Sequence, residues 1–419
     1  MAQPTTVETA PPERPERASS SYARVLRTPG LRRILPGVAV SALGDGMSLV
    51  AVAWLALQIV PPDRAAVWTG LAVAAYSLPA SLGAVVFARL VRRLNGAALL
   101  AVDASLRAVV LGAVAALAVA DALNPAAYVA LLAVSSLLHA WGSAGAYTMV
   151  AETLLERDQV AGNALISTFS QAALIVGPAL AGFLAGVAGP GWVIAGDAAS
   201  FAVLAVCAWP LARRTAGTRR ASTGTPGTPW RALAARPQLL LLILLTCALY
   251  FLYGPVEVAL PVHVAQGLHA PAAVLGTFWA VFSVGAVAGA LLANRLQRLP
   301  LWYVVAAIFA GWGLALVPVG VSDQVWLGMA GFAFGGVVYG PFNALSTALV
   351  QRTAPPELLS GVLAARSALL IPSVAVGTLL GGPLVAWLGG QRTLLFSGLF
   401  TVLLGVLIAA YARTQPSSR

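Results

Sequence analysis

Twelve apolar runs, at 34–60, 67–87, 97–120, 125–150, 162–188, 192–211, 239–264, 271–293, 301–320, 324–350, 361–388 and 392–412, dominate this sequence of 419 residues. Each has the roughly twenty residues that a helix rising about 1.5 Å per residue needs to cross a bilayer core. A chain that is 59% hydrophobic and 9% charged, with a mean hydropathy of +0.86, is too apolar for a soluble globule. The expected fold class is an all-α polytopic membrane protein with 12 transmembrane helices in two six-helix bundles.

Connectors are short except at 212–238, where Arg213, Arg214, Arg219, Arg220, Arg231 and Arg236 stand among Gly, Pro, Ser and Thr. That is the composition of a flexible linker. The expected organisation is a disordered cytoplasmic tail at 1–30, a bundle at 31–211, a cytoplasmic linker at 212–238, a second bundle at 239–412 and a tail at 413–419. All 25 basic residues are arginine. Apart from Arg64 and Arg392 outside, and Arg107 and Arg366 within helices, they fall on one side, so the positive-inside rule places both termini in the cytoplasm. The net charge of +11 is thus an orientation signal and not a footprint for nucleic acid. Cys207 and Cys247 both lie in apolar runs, which argues against a disulfide framework or a zinc site. Residues 1–27 lack the apolar core of a signal peptide, so the first span is expected to serve as the insertion signal. With no lysine and no phosphate-cradling loop, direct ATP drive is not expected.

The sequence echoes itself. Gly177, Gly182 and Gly189 recur as Gly377, Gly382 and Gly389, and Gly70, Ser77, Gly83, Arg89 and Arg92 recur as Gly276, Ser283, Gly289, Arg295 and Arg298. Two echoes at nearly one offset indicate parallel duplicated halves with a cavity at their interface near mid-membrane. Small residues let helices approach closely, and Pro178 removes one backbone hydrogen bond. Gly177, Pro178, Gly182, Gly377 and Gly382 are therefore candidates for an interface that opens and closes, although generic helix packing also accounts for them.

Ionisable groups within spans are expensive and mark functional candidates. Asp45 lies near the middle of the first span, flanked by Gly44 and Gly46, and is expected either to take a proton or cationic substrate or to bond structurally to a neighbouring helix. Glu257, close to Tyr250 and Tyr253 and between two helix-interrupting prolines, Pro255 and Pro261, offers charge and aromatic faces to an amphipathic cation. Asp103 and Arg107 are spaced i,i+4 and read as a structural ion pair near the cytoplasmic end of the third span. His139 is a titratable candidate or a hydrogen-bonded packing residue, Arg366 a gating or a snorkelling arginine, and Asp197 an interfacial residue.

The loop Gly83-Ala-Val-Val-Phe-Ala-Arg89-Leu-Val-Arg92-Arg93 resembles the basic loop motif of the major facilitator superfamily, with Ala88 in place of the motif's aspartate. Gly177-Pro178 followed by Gly182 is similar to the glycine-proline signature of that family's exporters and proton antiporters. Residues 41–46 with Asp103 and Arg107 look like the branch of drug, macrolide and siderophore exporters, while Leu138-His139-Ala-Trp141-Gly142 lacks the arginine that proton-coupled members often carry. The resemblance covers 31–412 and implies the major facilitator fold, with Gly83, Arg89, Arg92 and Arg93 in a gating loop. It implies a secondary active transporter: a proton-coupled exporter of small amphipathic compounds (drugs or secondary metabolites) by alternating access, associated with multidrug resistance. Its partners would be substrate, protons and lipid. The proton gradient would be its energy source with no bound cofactor, and it would act as a monomer in a bacterial cytoplasmic membrane. The alternatives are a metabolite importer of the same fold, a polytopic enzyme, or a receptor that moves nothing. Histidines at 139, 263 and 269 without a matching cluster argue against the enzyme.

Overall fold

The computed structural model describes residues 18–88, 94–214, 237–296, 299–353 and 359–414, and every regular element among them is helical. In order these are α1 (Ala18–Arg27), α2 (Pro29–Ile59), α3 (Ala65–Val86), α4 (Gly96–Val119), α5 (Pro125–Ser136), α6 (His139–Thr153), α7 (Glu156–Val187) and α8 (Pro190–Arg214). Then come α9 (Pro237–Val262) with a π-helical turn at His263–Gly267, α10 (Ala272–Leu296), α11 (Leu301–Val321), α12 (Val325–Thr353), α13 (Leu359–Leu388) and α14 (Gly390–Thr414). Among the described residues eleven helical segments, with α5 and α6 counted as one, are long and apolar enough to span a membrane. Helix α13 fills the twelfth place, with Pro372–Leu388 as its apolar stretch. Helices are the natural outcome, because hydrocarbon offers no partner to a backbone N–H or C=O. Exposed side chains such as Val109, Val206 and Leu403 then face lipid at no cost.

Local chemistry sets the helix ends. Asn95 and Asn124 cap α4 and α5, each Oδ1 accepting a backbone N–H at 2.8 Å. Gly189 and Gly389, equivalent in the two halves, end α7 and α13 with φ of 91° and 82°, a left-handed conformation that glycine adopts without strain. Pairing inside the halves is also equivalent: α2 packs on α7 and α4 on α8, as α9 packs on α13 and α11 on α14. Between halves, α7 meets α10 and α13 meets α3.

Glycines make these contacts close. A Cβ on Gly177 would strike the backbone of Gly46, and one on Gly377 the carbonyl of Phe251; both contacts lie inside one half. Gly182 instead faces Gly276, and Gly382 faces Gly70, across the seam. Ser283 Oγ donates to the Leu174 carbonyl at 2.8 Å and Gln266 Nε2 to the Pro62 carbonyl at 3.2 Å. These links between halves lie from mid-depth to the face away from the termini.

Three expectations need correction. Residues 18–27 of the supposed disordered tail form α1, because Val25 is fully buried and Arg24 forms an ion pair with Asp158 of α7 at 2.7 Å. The fourth span is two helices: Ser135 and Ser136 bond back to the Leu132 and Ala133 carbonyls, which bends a helix, and the chain turns at Leu137 and Leu138. Helix α9, conversely, runs unbroken through Pro255 and Pro261, held against the α13 backbone at Gly377 and Thr378, where Gly254 carries no side chain. Its regularity changes only at the π-turn.

Candidate functional site

The first half buries a polar cluster built around Arg107. Successive residues of α2 point to different neighbours: Gly44 leaves room for Asp197 and Ser200 of α8, and Gly46 for the Ala173 carbonyl of α7. Asp45, between them, reaches the Arg107 guanidinium on α4 at 2.6 Å. Tyr76 of α3 donates its hydroxyl to Asp45 at 3.1 Å and in turn accepts from Arg107. A second Arg107 nitrogen lies 2.5 Å from His139 Nδ1. Arginine only donates, so Nδ1 accepts and the imidazole is neutral, with its proton on Nε2. The guanidinium also stacks on Phe201, 4.2 Å from the ring centroid. Four neighbours thus compensate a charge that is only 2% exposed.

Arg107 therefore turns to Asp45 and not, as its spacing suggests, to Asp103. The Asp103 carboxylate packs against Gly142, where any side chain would overlap it, and its Oδ1 has no hydrogen-bond partner. Arg107 is also twelfth in the 24 residues of α4, at mid-depth and away from the cytoplasmic end. Asp197 is likewise not interfacial. It is 0% exposed and accepts the Ser48 hydroxyl at 2.5 Å. Its helix starts at Pro190, earlier than the apolar run suggests, and Gly44 opens the space it fills.

Beside this cluster a cavity of about 500 Å³ lies between the halves. Ser48 and Tyr76 belong to its wall, as do Gln171, Leu174 and Pro178 of α7. The second half contributes Tyr253 and Glu257 of α9, Trp279, Phe282 and Ser283 of α10, and Tyr339 of α12. The aromatic rings support one another: Tyr253 lies 6.3 Å from Trp279, Trp279 6.0 Å from Phe282, and Phe282 5.6 Å from Tyr339. Glu257 is the carboxylate on that wall, accepting from Thr378 at 3.1 Å. Tyr250 stands behind it, its hydroxyl 2.9 Å from that of Tyr339.

Structure and sequence divide the remaining candidates. Asp45, Arg107 and His139 come together, and Glu257 and Tyr253 share the cavity wall. Gly83 packs on the Leu137 carbonyl within its own half and accepts from Trp141 Nε1 at 3.0 Å. Arg366 lies in α13 with its side chain partly accessible. Arg89, Arg92 and Arg93 lie outside the described residues. Sequence reasoning missed Tyr76, Ser48 and Thr378, since a lone hydroxyl in an apolar run carries no signal of its own.

Two helical halves enclosing an aromatic-lined, largely apolar cavity with a carboxylate on its wall are the architecture of a membrane transporter. The chain belongs to the Major Facilitator Superfamily, whose family model matches residues 34–370 and 250–419. Similar solved structures include the nucleoside transporter NupG, 14% identical over 92% of this chain and 99% of that one, with a TM-score of 0.68. A bacterial homologue of the human lysosomal transporter Spinster, inward-facing and unoccupied, is 12% identical over 94% and 97%, with a TM-score of 0.69. A POT family transporter is 11% identical over 91% and 96%, with a TM-score of 0.67. At these identities the likeness is one of fold. Comparison with curated proteins gave no match.

Proposed function

We propose that this transporter is a proton-coupled exporter of small amphipathic compounds, favouring cations, that works by alternating access as a monomer in a bacterial cytoplasmic membrane. The observation that carries the proposal is the pairing of two chemistries across one cavity. The second half presents an aromatic wall with one carboxylate, Glu257, which suits a flat organic cation. The first half presents Asp45, one-third accessible and held by Arg107, as a group that can exchange a proton. Protonating Asp45 weakens its hold on Arg107, so proton and substrate occupancy act on the same two-state structure. A cytoplasmic position of both termini, together with links between the halves on the opposite face, supports an inward-facing reading of this state. Gly182, Gly276, Gly70 and Gly382 form the seam that parts when the cavity opens outward, and Gly83, with Arg89, Arg92, Arg93 and Arg366, closes the inner side.

The test is flux in inverted membrane vesicles against a panel of cationic and neutral amphipathic compounds, with and without an uncoupler. Accumulation that the uncoupler collapses is expected. Flux indifferent to the gradient would overturn the coupling, and release where uptake is expected would make the chain an importer. Glu257→Gln is expected to weaken cationic compounds about tenfold, equivalent to about 1.4 kcal/mol, and to leave neutral ones near wild type. Equal losses for both classes would reject charge recognition.

A further inference from the structure

The buried cluster of the first half carries three carboxyls, Asp45, Asp103 and Asp197, around one guanidinium. Arg107 is engaged with Asp45, and among the described residues no other cation pairs with the remaining two. Asp103 is 4% exposed with Oδ1 unpartnered, and the nearby Arg107 Nε is unpartnered as well. Asp197 is 0% exposed and meets hydroxyls, Ser48 Oγ at 2.5 Å and Ser200 Oγ at 3.4 Å. A buried carboxylate without a cation takes a proton more readily than it stays charged. Among the described residues no group of three or more His, Cys, Asp or Glu is arranged to hold a metal ion.

The two unpaired acids differ in access. Asp103 is pressed against Gly142. Asp197 touches Ser48, and Ser48, itself only 1% exposed, borders the cavity and is the single residue between the two. A hydroxyl both accepts and donates, so it can relay a proton that a methyl group could not. We propose that Asp197 is a second proton-binding carboxyl, distinct from Asp45, which exchanges its proton with the central cavity through the Ser48 hydroxyl. This deepens the proton-coupled reading of the chain and rests on it for its role in transport. In the exchange the Asp197 proton passes to Ser48 Oγ while the Ser48 proton leaves to a cavity water. Asp197 is left as a carboxylate accepting from Ser48, and one proton is gained by the water. The groups facing Asp197 are Asp45 and Ser48 from α2, Arg107 from α4, Tyr76 from α3, and Ser200 from its own helix, while Asp103 neighbours the same Arg107. The charged residues of α7, Glu156, Arg157 and Asp158, sit in its first turn and far from the cluster.

Infrared difference spectra of the purified full-length protein in micelles, recorded between pH 5 and 9, test this without a substrate. The expected result is a protonated-carboxyl C=O band that disappears as pH rises, is absent in Asp197→Asn and persists in Asp45→Asn. Asp197→Glu is expected to displace the band, which covers the case in which the Asn variant does not fold. Ser48→Ala is expected to keep the carboxyl but slow its deuterium exchange at least tenfold. Spectra of Asp197→Asn identical to wild type, a band that never changes across the pH range, or unaltered exchange in Ser48→Ala would each overturn the proposal. Vesicle flux that ignores the proton gradient would instead remove the transport reading and leave the infrared band standing.

Discussion

At the scale of single residues, the cluster around Arg107 behaves as a unit. Removing one partner of a buried ion pair strands the other, at a cost of about 3–5 kcal/mol, whereas removing both avoids that penalty. Arg107→Gln is therefore expected to lower thermal stability sharply, and Asp45→Asn to do so less, because Tyr76, His139 and the nearby acids remain to Arg107. The double variant is expected to recover stability relative to the sum of the two, with a coupling of about 1–3 kcal/mol in a thermodynamic cycle. Additive effects would mean that the 2.6 Å contact is energetically idle. Sequence picked out Asp45, Arg107 and His139 one at a time, from the cost of charge in an apolar run. It assigned Arg107 the wrong acid, since i,i+4 spacing registers only neighbours on one helix and Asp45 arrives from another.

Among the helices, small residues decide which surfaces approach. In lipid no hydrophobic gain drives helix against helix, so close backbone contact has to supply the attraction. The glycine echo was legible in the sequence, but its two members do different work: Gly177 and Gly377 seal contacts inside each half, and Gly182 and Gly382 form contacts across the seam. No spacing rule distinguishes them, because a helix carries small residues on more than one face. Gly276→Leu is expected to wedge α10 away from Gly182 and the Pro178 carbonyl and to shift the protein toward the state open on the face away from the termini. Spin labels at Asp63 and Gln391, which both line a pocket on that face, should then report longer distances. Unchanged distances would show that the seam is not held by this crossing.

For the whole molecule, helices α7 and α10 meet at Gly182 and Gly276 and again where Ser283 donates to the Leu174 carbonyl, and nearer the face carrying the termini Ser167 of α7 and Leu291 of α10 are exposed. In a version with Cys207 and Cys247 replaced, Ser167→Cys paired with Leu291→Cys is expected to cross-link only when that side closes. The cross-link should stop transport, and a reductant should restore it. Transport that continues in the cross-linked protein would rule out rocking of the halves about the cavity. The sequence by itself determined the class of fold, since apolar runs of spanning length admit helices alone, and its internal echo and basic linker marked two halves. Only the tertiary structure decided which acid holds Arg107, that Asp197 is buried beside Ser48, and that α1 is tied to Asp158. The reason is physical: hydropathy and periodicity report how each segment meets its solvent, whereas these contacts join residues dozens of positions apart and exist only once neighbouring helices fix their rotation and depth.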